Sequence, residues 1–194
     1  MLQSIYIVGT YVSTNLGSTI LATYGLFLQM ISVSYLTIDG PTLGSSPLIG
    51  ESFAEKNIYR LKKIYKNAFL SGIMTALLFS LIFLIFGNHL INALTDIESV
   101  RMESYKYIYL VGFLPILSAW SFQLDGAFSG MLKTKEMRDT MIISAIVYFI
   151  AIFSITNFWG NYGVWIAYLF FALTRGISLN YHMNKILNKI QINE

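Results

Sequence analysis

The chain of 194 residues contains no cysteine, only three prolines and few charged side chains. Without cysteine it has neither a disulfide nor a thiolate for catalysis or metal binding. Charged residues make up 12% of the sequence, whereas soluble domains carry about 25%. Apolar residues make up 55%, so the composition excludes an ordinary soluble domain.

The apolar residues are gathered into long runs. Uncharged or nearly uncharged runs cover residues 17–38, 68–86, 107–124, 140–159 and 162–179. Arg175 is the single charge in the last of them. Each approaches the roughly 20 residues that a helix needs to cross a bilayer, and none alternates in polarity like a strand of a membrane barrel. We therefore predict an all-α polytopic membrane helix bundle that forms a single membrane domain.

Five full spans and one partial span follow from these runs. With helix ends included, the full spans are predicted at about 17–50, 68–87, 105–132, 139–159 and 162–180. Residues 1–13 are apolar but reach only about 20 Å as a helix, too short to cross. We expect them to be the second half of a helix in a chain shortened at its N-terminus. The polar connection between the second and third full spans contains "NALTDIES", for which we predict a short interfacial helix.

The basic residues predict the orientation in the membrane. Ten of the 13 lysines and arginines lie in three segments, 51–67, 133–139 and 180–194, and two lie on the opposite side. Short loops rich in lysine and arginine stay cytoplasmic. These segments are therefore predicted on the cytoplasmic side of a bacterial-type inner (plasma) membrane. Arg175 is expected near the cytoplasmic end of the last span, where it can reach toward the interface. The net charge of +3 therefore reflects membrane topology and does not indicate nucleic-acid binding.

Two acidic residues lie inside predicted spans, and both occur in the same short pattern. Asp39 belongs to "IDGPTLG" (38–44) and Asp125 to "LDGAFSG" (124–130), at comparable depths. An unpaired charge in lipid costs about 3 kcal/mol, so each carboxylate must face protein or a watery cavity. Glycines four residues apart let a neighbouring helix approach closely. A purely structural role for the acids, and chance for the repeat, are the alternatives.

Hydroxyl groups accompany each acid on one helical face. One face carries Ser118, Ser121, Asp125 and Ser129, and the other Ser32, Tyr35, Asp39, Thr42 and Ser46. From these we take five candidates for ion or substrate binding: Asp125, Asp39, Ser121, Ser129 and Tyr35. The alternative role of the serines is to allow close packing between helices.

A carboxyl group in a low-dielectric site can hold a proton and release it when the site becomes wet or a cation arrives. This property suits coupling of a proton or sodium gradient to transport. No metalloprotease, P-loop or Ser-His-Asp pattern accompanies the acids, so we predict neither an enzyme nor a metal site or cofactor beyond the coupling ion.

Three stretches resemble one transporter family. They are "IDGPTLGSSPLIGESFAEKNIYRLKKIYKNAFLSG", "FQLDGAFSGMLKTKEMRDTMIISAIVYF" and "GNYGVWIAYLFFALTRGISL". Together they resemble the multidrug and toxic compound extrusion (MATE) transporters, and within these the branch of the DNA-damage-inducible F proteins. The resemblance implies two six-helix lobes, of which this chain is the second and a partner lobe the first.

The resemblance also implies cation-coupled export of organic, often cationic compounds by alternating access. Asp125 matches the Asp of the branch's Leu-Asp-Gly pattern on its helix ten, and Asp39 the corresponding acid on helix eight. Ser45 and Ser46 stand where the branch commonly has Ala-Glu, so a carboxylate of that helix is absent.

Two alternatives stay open. A flippase for lipid-linked saccharides shares the superfamily, but its cavity is expected to hold more basic residues than Arg175 alone. A truncated lobe that does not transport, or that serves as an assembly subunit, is the other.

Overall fold

The computed structural model describes residues 2–192, and this part of the chain is built from α-helices. In chain order these are α1 (Leu2–Leu16), α2 (Ser18–Ala54), α3 (Ile58–Leu94), α4 (Glu98–Tyr105), α5 (Ile108–Gly130), α6 (Thr134–Trp159) and α7 (Asn161–Ile192). Five of them, α2, α3, α5, α6 and α7, are long and apolar enough to cross a membrane. The predicted all-α membrane bundle is therefore confirmed.

The helices extend beyond the predicted spans at several ends. Most of the basic segment 51–67 is helical, because α2 runs to Ala54 and α3 starts at Ile58. α1 has 15 residues. The short helix predicted at "NALTDIES" is misplaced, since α3 continues to Leu94 and α4 begins only at Glu98. The side chain of Arg101 caps the end of α3, because it donates hydrogen bonds to the carbonyl of Asn92 in the last turn and to that of Thr95 just after the helix.

α5 lies at the centre of the bundle, in contact with α2, α3 and α7. α6 packs along α7, and α1 packs on α2 and also contacts α6 and α7. The chain reverses direction at the short turns after α2, α5 and α6 and, through α4, between α3 and α5. The helices α2, α5 and α7 are therefore parallel to one another and antiparallel to α3 and α6. The turns after α2 and α5 lie at one end with the last part of α7. We call this the basic end, because most lysines and arginines lie there.

The two turns at the basic end have the same geometry. Lys56 and Leu132 adopt positive φ angles of 56° and 57°. After each, the next backbone N–H returns to a carbonyl five residues earlier: Asn57 to Ser52 and Lys133 to Phe128, both at 2.9 Å. This is the hydrogen-bond pattern that commonly ends helices, and it reverses the chain within three residues.

An aromatic core fills the opposite half of the bundle. Tyr24, Phe27, Tyr148, Trp165 and Tyr168 are all at least 92% buried. The Trp165 ring meets Phe27 edge to face, with centroids 5.1 Å apart, and the Tyr24 and Tyr168 hydroxyls are 2.7 Å apart. These contacts hold α2, α6 and α7 together on the side away from the basic end.

Candidate functional site

The two Asp-Gly segments lie side by side on α2 and α5. Gly126 packs on Thr42, and Gly130 packs on the backbone of Ser46 and Gly50. Because the two helices run in the same direction, "LDGAFSG" lies parallel to "IDGPTLG", shifted so that Gly126 is beside Thr42 and Gly130 beside Ser46. Asp39 and Asp125 therefore lie at similar levels along the bundle.

The glycines of the two segments have different roles. A methyl group at Gly126 would overlap the side chain of Thr42, and one at Gly130 would overlap the Ser46 carbonyl. At Gly40 and Gly44 a methyl group would meet nothing within 4 Å. Close packing through glycine is therefore confirmed for the α5 copy of the pattern alone.

A cavity of about 270 Å³ opens between α1, α2, α5 and α7. Aromatic and apolar side chains form most of its wall, and its polar lining includes Tyr35, Asp39, Ser118 and Ser121. Three of the five residues predicted from the sequence, Tyr35, Asp39 and Ser121, are thus brought together. Ser129 is exposed elsewhere on α5 and does not line the cavity.

Six hydroxyl groups line the cavity, and among the described residues all but that of Tyr6 are hydrogen-bonded to protein. The Tyr35 hydroxyl lies 2.7 Å from Ser118 Oγ, and Ser121 Oγ donates to the Ser118 carbonyl at 2.9 Å. Asp39, in contrast, has no hydrogen bond or ion pair with the side chain of any residue in the range 3–188. Its half-buried carboxylate is the charged group of the cavity lining, and it remains available to a ligand.

Asp125 forms a buried ion pair with Arg175 of α7. The guanidinium holds both carboxylate oxygens, with Nε 3.2 Å from Oδ2. Its remaining nitrogen donates to the Met137 carbonyl and to Thr140 Oγ1, both at 3.1 Å. One side chain of α7 thus joins α5 to the first turns of α6, through four hydrogen bonds from the five N–H donors of the arginine.

The expectation that Arg175 reaches toward the interface is wrong. Its side chain is only 4% exposed, whereas that of Asp125 is 23% exposed. The charge is accommodated because a carboxylate, a carbonyl and a hydroxyl replace its water shell. The sequence carried one signal of this pairing. The apolar parts of α5 and α7 each contain a single charged residue, Asp125 and Arg175, at a similar distance from the basic end.

The ion pair lies next to the cavity on the side of the basic end. Phe171 and Ala172 line the cavity, and Arg175 follows them by one helical turn. On α5, Asp125 follows the cavity residue Ser121 by one turn. The cavity thus has an unpaired carboxylate on one wall, and the neutralised ion pair lies one helical turn beyond its lining residues.

A multi-pass helix bundle with two carboxylates and an arginine in its interior defines a polytopic membrane protein with an ionisable core. The sequence model of the MatE family matches residues 1–156, and the chain belongs to this family.

Two relatives match nearly the whole chain. DNA damage-inducible protein F of Escherichia coli (strain K12) is 27% identical over 171 residues, which are 88% of this chain and 37% of that protein. The probable multidrug resistance protein NorM of Rhizobium meliloti (strain 1021) is 25% identical over 198 aligned positions, which cover 96% of this chain and 42% of that protein. The chain thus spans about two fifths of the length of the relatives it matches.

Proposed function

We propose that this chain is the C-terminal lobe of a cation-coupled exporter of organic compounds. Membership of the MatE family supports a transport role rather than an enzymatic one. The partial coverage of the two relatives supports a partner lobe of six further helices, which the resemblance implies. The coupling ion is a proton or sodium, and no other cofactor takes part.

The observation that carries this proposal is the unpartnered carboxylate of Asp39 in a cavity whose wall is mostly apolar and aromatic. Such a site is complementary to an organic cation, whose charge would pair with Asp39. Its rings would pack on Tyr35 and Phe122, which meet edge to face with centroids 4.9 Å apart.

The Asp125–Arg175 pair supports a coupling role for Asp125. A proton or sodium ion bound to this carboxylate removes its attraction for Arg175. The guanidinium then keeps only its bonds to α6, so that occupancy of Asp125 changes the contact between α5 and α7. A bound cation can shift a conformational equilibrium in this way because it interacts differently with the two arrangements.

We place the basic end of the bundle at the cytoplasmic face of a bacterial-type inner membrane, with the bilayer as the surroundings of α2, α3, α5, α6 and α7. The excess of lysine and arginine in segments 51–67 and 133–139 supports this orientation.

A flippase for lipid-linked saccharides is less well supported. The diphosphate of such a substrate calls for free basic side chains, yet no lysine or arginine is among the residues that line this cavity. The one arginine nearby is neutralised by Asp125.

A flux assay tests the proposal. The transporter that contains this chain would be placed in proteoliposomes with a proton gradient in one arm and a sodium gradient in the other. We expect one gradient to drive efflux of a fluorescent organic cation. Asp125→Asn should abolish this efflux in proteoliposomes that contain the same amount of folded protein. Glu98→Gln, at an exposed glutamate of α4, is the matched control.

The second readout is binding. Asp39→Asn should weaken binding of the cationic dye at least about tenfold and leave a neutral dye of similar shape unaffected. Normal efflux by Asp125→Asn would remove the coupling role, and absence of gradient-driven flux in the unmodified protein would reject transport.

A further inference from the structure

A second polar cavity, of about 420 Å³, lies at the basic end, between the C-terminal part of α2, the start of α6 and the last part of α7. Three of its lining residues are lysines, Lys133, Lys135 and Lys185, and two are acids, Glu136 and Asp139. It shares no residue with the cavity that contains Asp39.

The charges of this cavity do not cancel. Asp139 is paired with Arg138, with 2.7 Å between carboxylate and guanidinium. None of the three lysines forms an ion pair with a side chain that the structure describes. The ammonium group of Lys133 lies 5.6 Å from the centre of the Phe53 ring, which holds it at the cavity wall. The site therefore carries an excess of positive charge.

The length of α7 predicts that the cavity lies at the depth of lipid headgroups. His182, which also lines it, follows Tyr162 by 20 residues of α7, about 30 Å of helix. That length equals the hydrocarbon thickness, so a helix that begins at one interface reaches the other at this residue.

An apolar side chain projects from the same turn. Leu132, directly before Lys133, is 82% exposed and adopts a positive φ angle of 57°. A backbone of this kind is unfavourable for leucine by about 1–2 kcal/mol. Next to a membrane surface, the exposed leucine can contact acyl chains while the adjacent lysine contacts a headgroup, which favours a lipid over a soluble anion.

We propose that this cavity binds the phosphodiester headgroup of an anionic membrane phospholipid. The ammonium groups of Lys133, Lys135 and Lys185 donate to the phosphate oxygens, and the Glu136 carboxylate accepts a hydrogen bond from a glycerol headgroup. A lipid bound there links the turn between α5 and α6 to the end of α7, and this link does not depend on transport.

Native mass spectrometry of the delipidated protein tests the proposal, with phosphatidylglycerol, phosphatidylethanolamine and phosphatidylcholine as probes. We expect phosphatidylglycerol to be retained preferentially. The triple variant Lys133→Gln/Lys135→Gln/Lys185→Gln should bind it at least about tenfold more weakly, because each lysine near a membrane surface contributes to attraction of anionic lipid.

The matched control is Lys62→Gln/Lys63→Gln/Lys66→Gln, which removes the same charge from exposed positions of α3. It should retain phosphatidylglycerol within about twofold. The triple lysine-to-arginine variant of the cavity should also retain the lipid, which separates loss of charge from loss of folding.

Three results would overturn the proposal. Equal losses of phosphatidylglycerol binding in the two triple glutamine variants would mean that the lipid is attracted by the overall positive charge and not by this cavity. Equal retention of the three lipids would show that binding does not require an anionic headgroup. Displacement of the lipid by millimolar inorganic phosphate would identify a soluble anion site instead.

Discussion

Asp125 and Arg175 stand 50 residues apart in the chain and form an ion pair inside the helix bundle. The pair connects the central helix α5 to α7, and the same arginine reaches the start of α6. Three spans therefore meet at one guanidinium group, next to the cavity that contains Asp39.

Loss of either partner should destabilise the bundle strongly. Arg175→Gln or Asp125→Asn leaves a buried charge without its counter-ion, which costs about 3–5 kcal/mol in soluble proteins. We expect the double variant to lose less than the sum of the single losses. Unfolding by denaturant in detergent micelles measures all three.

Arg138→Gln is the control for these variants. The ion pair of Arg138 with Asp139 lies at the surface, and such pairs contribute about 0–1 kcal/mol to stability. Strictly additive losses in the double variant would mean that Asp125 and Arg175 act independently.

Alanine at the glycines of the two Asp-Gly segments should have opposite outcomes. Gly126→Ala and Gly130→Ala force α2 and α5 apart, and overpacking of this kind costs about 1–3 kcal/mol. Gly40→Ala and Gly44→Ala add a methyl group in open space and should be neutral or slightly stabilising. Thermal unfolding of the four variants measures the difference, and similar losses at all four positions would contradict the observed helix contact.

The connection between α4 and α5 should lose stability in acid. Burial would raise the pKa of Glu103, but hydrogen bonds from Lys106 at 2.7 Å and from the Tyr107 hydroxyl at 2.8 Å outweigh burial and hold the pKa below its usual range. Folding therefore favours the ionised form. This contribution is complete above the ordinary glutamate pKa of about 4.3 and is lost as the pH falls through the lower value of the folded protein.

Thermal unfolding of the unmodified protein and of Glu103→Gln as a function of pH tests this. The difference in stability between the unmodified protein and Glu103→Gln should be largest near neutral pH and disappear in acid. Glu98→Gln, at an exposed position of the same helix, should leave the pH dependence unchanged. An advantage of Glu103 that persisted in acid would contradict the ion pair with Lys106.

Removal of Arg101 should fray the end of α3. Its guanidinium donates to the carbonyl groups of Thr95 at 2.7 Å and Asn92 at 3.0 Å, and hydrogen bonds from a charged group contribute about 1.5–3 kcal/mol. We expect Arg101→Met to speed amide hydrogen exchange at the last turn of α3, with Lys66→Met as the control. Unchanged exchange there would mean that water replaces the arginine without loss.

Hydropathy and charge predicted the spans because each helix must bury its own backbone in lipid, a constraint that acts within one segment. The same reasoning selected Asp39 and Asp125, since a lone carboxylate in an apolar run is costly wherever the run is placed. It could not assign a partner to Arg175. A single charge near a helix end can reach water or a second helix, and only the packing of α5, α6 and α7 decides between them.

The sequence by itself determined that five apolar helices are long enough to cross a membrane and that two acids and one arginine lie among them. It also contained both copies of the Asp-Gly pattern, yet it could not show that only Gly126 and Gly130 would meet a neighbouring helix. The tertiary structure decided which faces of α2, α5 and α7 meet. The physical reason is that depth in a membrane follows from the residues of one helix, whereas a rotation about its axis is decided by the surfaces of its neighbours.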